Sequence, residues 1–287
     1  LGLVGSEMCI RDRYGTYNNI FIKDERQYLV SGTTSDVKKI TKEDLEICYE
    51  AFYHPENMFM IITGNFDPNE AVAIVSEVMS KKEFPKYNKP VLKFKKEPFE
   101  VKTKHFERCM NVNIPKVSVG FKVPKNAFKG LKIDERKVRL YFNLYMRVQF
   151  GITSYLRDEL QSSKVITGGL SMNLLDTEDY YVEVIAASTE YPDYFIKRVK
   201  ETFDERDINE EDVIRKVNAS VSNLIMYFDD IEGVNSQIQD DVIDFGEYMY
   251  NIYDVYKSLN IEDAREVVKR LNKHITTETI IKPLEEK

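Results

Sequence analysis

Residues 40–66, ITKEDLEICYEAFYHPENMFMIITGNF, constrain this chain more than any other stretch. Thr41 can cap a helix through its hydroxyl, and Asp44 lies three residues on, close to the reciprocal capping-box pattern. Leu45, Cys48, Tyr49 and Phe52 then recur at the spacing of one buried helical face. Pro55 lacks an N–H and biases His54 away from helical dihedrals, so the helix is expected to stop near Tyr53. Met58 opens a short apolar run, MFMIIT, which reads as a strand buried on both faces and is broken at Gly64-Asn65. Asp67, Pro68 and Glu70 fit the N-cap, N1 and N3 positions of a second helix. Its inner side would be Ala71, Val72, Ile74, Val75, Val78 and Met79. Helix, buried strand, helix is one layer of an α+β domain.

At 287 residues the chain has room for two such domains. Its net charge of −7 argues against nucleic acid or an anionic membrane as partner. The lysines are interspersed with acids, and no apolar run approaches the ~18–20 residues that cross a bilayer. Three cysteines, odd in number and irregularly spaced, suggest a reducing compartment and a cytoplasmic protein. Cys48 and Cys109 read as core thiols.

Residues 1–13, LGLVGSEMCIRDR, show neither period and resemble the translation of sequencing-adapter read-through, so the protein proper is expected to begin near Tyr14. After Met79 comes a proline- and lysine-rich passage, and a linker is placed at residues 85–98. Alternation then predicts strands at 99–103 and around Cys109, and another along KVSVGFKVP, residues 116–124. A long helix is predicted from Asp134, with Val138, Tyr141, Phe142, Tyr145 and Val148 inward, then a second with Leu156 and Leu160 inward. Gly168-Gly169 opens a hairpin through YYVEVIAA, residues 180–187, and two helices come next, near 191–203 and 208–228. The Tyr248, Tyr250, Tyr253 and Tyr256 run has helical spacing and reads as core. Near the C-terminus Asn260 and Asp263 repeat the cap of Thr41 and Asp44, with Ala264, Val267, Val268 and Leu271 on the helix face and a strand at 279–281. A capped helix feeding a strand thus ends both halves, as in a duplicated domain.

The order Thr41, Asp44, Tyr53-His54-Pro55, Asn57-Met58 and Gly64, with the glycine, serine-capped helix and hairpin of residues 150–187, resembles the M16 (insulinase/pitrilysin-type) zinc metallopeptidases and their non-catalytic relatives. The resemblance runs from about Tyr14 to the C-terminus. It implies an α+β, LuxS/M16 metallopeptidase-like fold, a ferredoxin-like mixed sheet backed by helices. Residues 14–84 would be the C-terminal part of a first domain, and 99–287 a complete second one. The family holds zinc with H-x-x-E-H on a helix plus a later Glu, and the Glu beside the ligands takes a proton from metal-bound water. This chain has only His54, His105 and His274, none in that motif, so no catalytic or metal residue is assigned here. Zinc is expected in an intact parent whose motif lies upstream, enclosing peptide substrate between two homologous domains, with a homologous M16 subunit as a further possible partner. The alternative implied by the family is a non-catalytic scaffold, of the kind associated with elongation factor P modification.

Other patterns carry less. Glu50 and His54 lie at i and i+4, but two ligands without a third do not make a site, and His54 reads as the turn beside Pro55. His105 and His274 read as surface residues. Residues 227–232 lack the alternating acids of a calcium loop, and Asn218-Ala-Ser220 is a sequon inside a predicted helix.

Overall fold

The computed structural model describes residues 15–284; the adapter-like segment lies outside the described residues. The helices in chain order are α1 (15–20), α2 (Thr34–Val37), α3 (Lys42–Phe52), α4 (Pro68–Ser80), α5 (Glu135–Phe150), α6 (Tyr155–Ser162), α7 (Pro192–Glu205), α8 (Glu210–Tyr227), α9 (Ile231–Phe245), α10 (Ile252–Lys257) and α11 (Ile261–Arg270). The strands are β1 (His105–Met110), β2 (Lys116–Pro124), β3 (Ser171–Asp176), β4 (Tyr180–Ser188) and β5 (Ile275–Pro283). They form two compact units interleaved along the chain. One comprises residues up to Gly32, Phe94–Ala219 and Lys257 onward; the other comprises Thr33–Lys93 and Ser220–Tyr256.

The first unit holds the whole five-stranded sheet, in the order β1-β5-β2-β4-β3. The β1/β5 pair is parallel and the other pairs are antiparallel, so the sheet is mixed. Alternation along β2 and β4 sends side chains to two different layers. Phe121, between β5 and β4, stacks on Phe203 of α7 at 4.1 Å, and Tyr181 stacks on Phe142 of α5 at 5.1 Å. On the opposite face Tyr180, Val182 and Val184 pack with Tyr17, Ile20 and Phe21, the last just beyond α1. Close approach of α1 explains Gly120: a Cβ there would lie 2.9 Å from a Thr16 methyl and 3.0 Å from one on Thr277. Local signals and tertiary outcome agree at α5, whose inward residues are buried, and at α6, where Ser154 caps and Leu156 and Leu160 are buried. They agree again at α11, capped through Asn260 Oδ1 and the Asp263 N–H at 2.9 Å.

Several expectations are corrected. Residues 99–103 form no strand; the carbonyls of Pro98 and Glu100 turn instead to the Lys122 ammonium, and the Thr103 N–H donates to Asn19. Cys109 is exposed because β1 is an edge strand with exposed side chains. The tyrosine run is not one helical face: Tyr248 and Tyr250 precede α10, and Tyr250 is 89% exposed.

In the second unit Thr41 and Asp44 form a complete capping box, and Asp67 caps α4. Yet residues 58–63 join no strand ladder, and Leu45, Tyr49, Phe52, Met58, Met60 and Ile62 are all exposed, as is Cys48. Val72, Ile74 and Val78 of α4 are exposed as well. Apolar periodicity records a capacity for burial, whereas the cover is tertiary and nothing among the described residues supplies it here. The two capped helices therefore lead into different structures: α11 feeds the paired strand β5, while α3 feeds an unpaired extended segment.

Candidate functional site

The residues that carry the family pattern lie together in the second unit. Tyr53 ends α3 by donating its N–H to the Tyr49 carbonyl, and Pro55 to Asn57 form a single 3₁₀ turn. His54 is 7% exposed. Its Nδ1 accepts from the Glu56 N–H, which leaves Nε2–H to donate to the Pro85 carbonyl at 3.1 Å. The ring lies flat on Tyr87, with centroids 4.4 Å apart. Asn57 donates to the Phe52 carbonyl, Met58 is exposed, and Gly64 adopts φ 147°. Thus His54 fastens the end of α3 to the 84–87 segment, and both of its nitrogens are engaged.

In the first unit one densely bonded polar group is not revealed by alternation. Lys122 of β2 is fully buried and donates to Glu97 Oε1 at 2.6 Å and to the carbonyls of Pro98, Glu100 and Ile20. Glu97 in turn accepts the N–H groups of Ile22, Lys23 and Asp24 at 2.7–2.9 Å. One buried pair thereby pins the segment after α1 and the segment before residue 101 onto the sheet. Burial pulls the Lys122 pKa down, partly offset by Glu97. Burial also pushes Glu97 up, but Lys122 and the three backbone donors outweigh it and hold the carboxyl below its usual range. Beside the clasp is a cleft of about 550 Å3 between residues 23–26, 94–97 and the hairpin turn 177–179.

A second carboxylate of this kind lies inside β4. Glu183 is 1% exposed, its Oε1 has no partner, and desolvation raises its pKa to about 8, against the pull of the Asn173 N–H. It sits beside Phe121 and Leu174 in the sheet register. The available signal for both residues was a charge inside an otherwise apolar strand, which alternation alone assigns to solvent.

The described residues do not fit a zinc ion. Among them no group of three or more His, Cys, Asp or Glu side chains is arranged to hold a metal ion. His54 has no free ring nitrogen, and His105 has both nitrogens against carboxylates. His274, expected on the surface, is instead packed edge-on to Phe203 at 4.7 Å, with Nδ1 bonded to the Leu271 carbonyl at 2.9 Å. Its position at the end of α11, beside the large aromatics of the core, accounts for the difference. Among the described residues no helix is long and apolar enough to cross a membrane.

Comparison with known proteins agrees with this geometry. The structure superposes on a putative M16-like peptidase from Alicyclobacillus acidocaldarius with a TM-score of 0.81 at 20% identity, covering 98% of this chain and 69% of that one. A protease from Helicobacter pylori gives 0.77 at 16% identity, over 95% and 66% of the two chains. In sequence the chain is 32% identical over 201 residues to a Bacillus subtilis (strain 168) protein called "Uncharacterized zinc protease YmfH". That alignment covers 67% of this chain and 46% of the relative, so the chain spans about half of the relative's length. The profile of the Peptidase M16 inactive domain matches residues 39–219. With a fold shared with M16-like neighbours and this match over more than half of its length, the chain belongs to the M16 peptidase family.

Proposed function

We propose that this chain supplies the non-catalytic part of an M16 peptide chamber, with zinc and the proton-accepting Glu carried by a H-x-x-E-H region elsewhere in the parent. The observation that carries this reading is the match of residues 39–219 to the family's inactive domain. The lack of a zinc-fitting cluster among the described residues is consistent with it. In this role the first unit acts as wall. The edge strand β3 of its sheet offers outward backbone groups to an extended peptide. Beside that strand lies a groove whose lining includes Gly169, Ser171, Ala186 and Ser118, side chains small enough for a backbone to approach, and the longer Lys116. The exposed apolar face of α3 and residues 58–62 fits a surface that the rest of the parent covers.

The purified chain is therefore expected to cleave no member of a fluorescence-quenched peptide library, with or without added zinc. Turnover that is abolished by a chelator and restored by zinc would overturn the assignment.

A further inference from the structure

Strand β1 lies at the outer edge of the sheet and pairs with β5. Five of its six residues are exposed and the sixth is half-buried, so apolar burial contributes little to its docking. Its side chains are tied down by polar contacts instead. The His105 ring meets Glu278 Oε2 of β5 through Nδ1 at 2.7 Å and Glu107 Oε1 through Nε2 at 3.2 Å. Lys282 of β5 donates to Glu107 Oε2 at 2.6 Å, and Lys200 of α7 donates to Glu278 Oε1. Asp193 at the start of α7 bears on Lys282.

A carboxylate only accepts, so both ring nitrogens can donate together only when the imidazole carries both protons. A neutral ring turns a lone pair towards one of two carboxylates, and the contact becomes repulsive. We propose that the proton on His105 latches β1 to the sheet and that its release to solvent loosens this strand, uncovering the edge of β5. The hydrogen bond to Glu278, and after it the one to Glu107, holds the imidazole above its ordinary pKa, with partial burial opposing. Because the folded value is raised, the stabilisation is complete below the unfolded pKa and is lost as pH rises through the folded one. Glu107 and Glu278 are both held below their usual range by their cationic neighbours, although burial acts first to raise Glu278, so both stay ionised through this window.

Hydrogen exchange on the full chain, corrected for intrinsic rates, tests the latch between about pH 5.5 and pH 8.5. In a Glu183→Gln background, which removes the pH dependence of the buried carboxyl in β4, protection at residues 105–110 is expected to fall by about two- to fivefold, the range of a solvent-exposed ion pair, while β2 and β4 hold theirs. His105→Gln, which keeps a single donor side, is expected to remove the pH step. Glu278→Gln is expected to shrink it and to lower the His105 pKa read by NMR. Equal corrected protection at both pH values, or a step that survives in His105→Gln, would overturn the proposal.

Discussion

Replacing Lys122 with methionine is expected to cost about 3–5 kcal/mol of folding stability, the range seen when one member of a buried ion pair is removed. The ammonium has no solvent contact, and three carbonyls besides Glu97 depend on it. Methionine fills much of the volume and keeps contact with the Phe21 and Tyr180 rings that the ammonium now faces at 5.6 and 4.7 Å. It offers no donor, so the Glu97 charge stays buried on its three backbone N–H groups alone. The double variant Lys122→Met/Glu97→Gln is expected to regain part of the loss, because the uncompensated charge is gone. Urea unfolding of wild type, single and double variants measures both effects. A single variant within about 1 kcal/mol of wild type would show that the clasp contributes only geometry, not stability.

The second large effect concerns Glu183 and depends on pH. Its folded pKa, about 8, lies above the ordinary carboxyl value of 4.5 because burial penalises the charged form. Between these two values the folded state keeps a proton that the unfolded chain releases, so stability falls as pH rises and levels off above the upper one. Glu183→Gln cannot ionise and escapes that fall. The stability of the variant relative to wild type is expected to grow by about 3–5 kcal/mol between pH 4 and pH 8.5. Parallel unfolding curves at the two pH values would show instead that Oε1 finds a compensating partner.

Both residues illustrate where the sequence stops being informative. The fold was legible wherever a local device stood beside a periodic pattern: a cap at Thr153 or Ser154 before Leu156, which the structure places at Ser154, Asn260 before Ala264, and the turn 177–179 between two strands. Each device works through hydrogen bonds within a few residues, so the neighbouring chain suffices to specify it. The 116–124 strand was also legible, but its two faces were not. Alternation marks Val117, Val119, Phe121 and Val123 as the buried side, whereas Ser118, Gly120 and Lys122 are equally covered by α1 and the segment around residue 97. Those covering pieces lie about a hundred residues away in sequence for Thr16 and Ser118, a distance across which periodicity is silent.

The same limit explains the second unit. Residues 58–63 have the composition of a buried strand, but a strand is defined by its neighbour, and no described segment pairs with them. His54 was legible as a turn residue because Pro55 fixes the local chain; its stacking on Tyr87 and its bond to Pro85 were not. A metal role for Glu50 and His54 was not expected from sequence, since i, i+4 spacing without a third ligand does not make a site. The hydrogen bonds at both nitrogens of His54 close that possibility in this geometry.

The most direct measurement is the zinc content of the purified chain after incubation with zinc and removal of the unbound ion, read by inductively coupled plasma mass spectrometry. The account expects far less than one zinc per chain, with no change in thermal stability on adding the metal. One tightly retained zinc per chain, lost on replacing any of His54, His105 or His274, would contradict it.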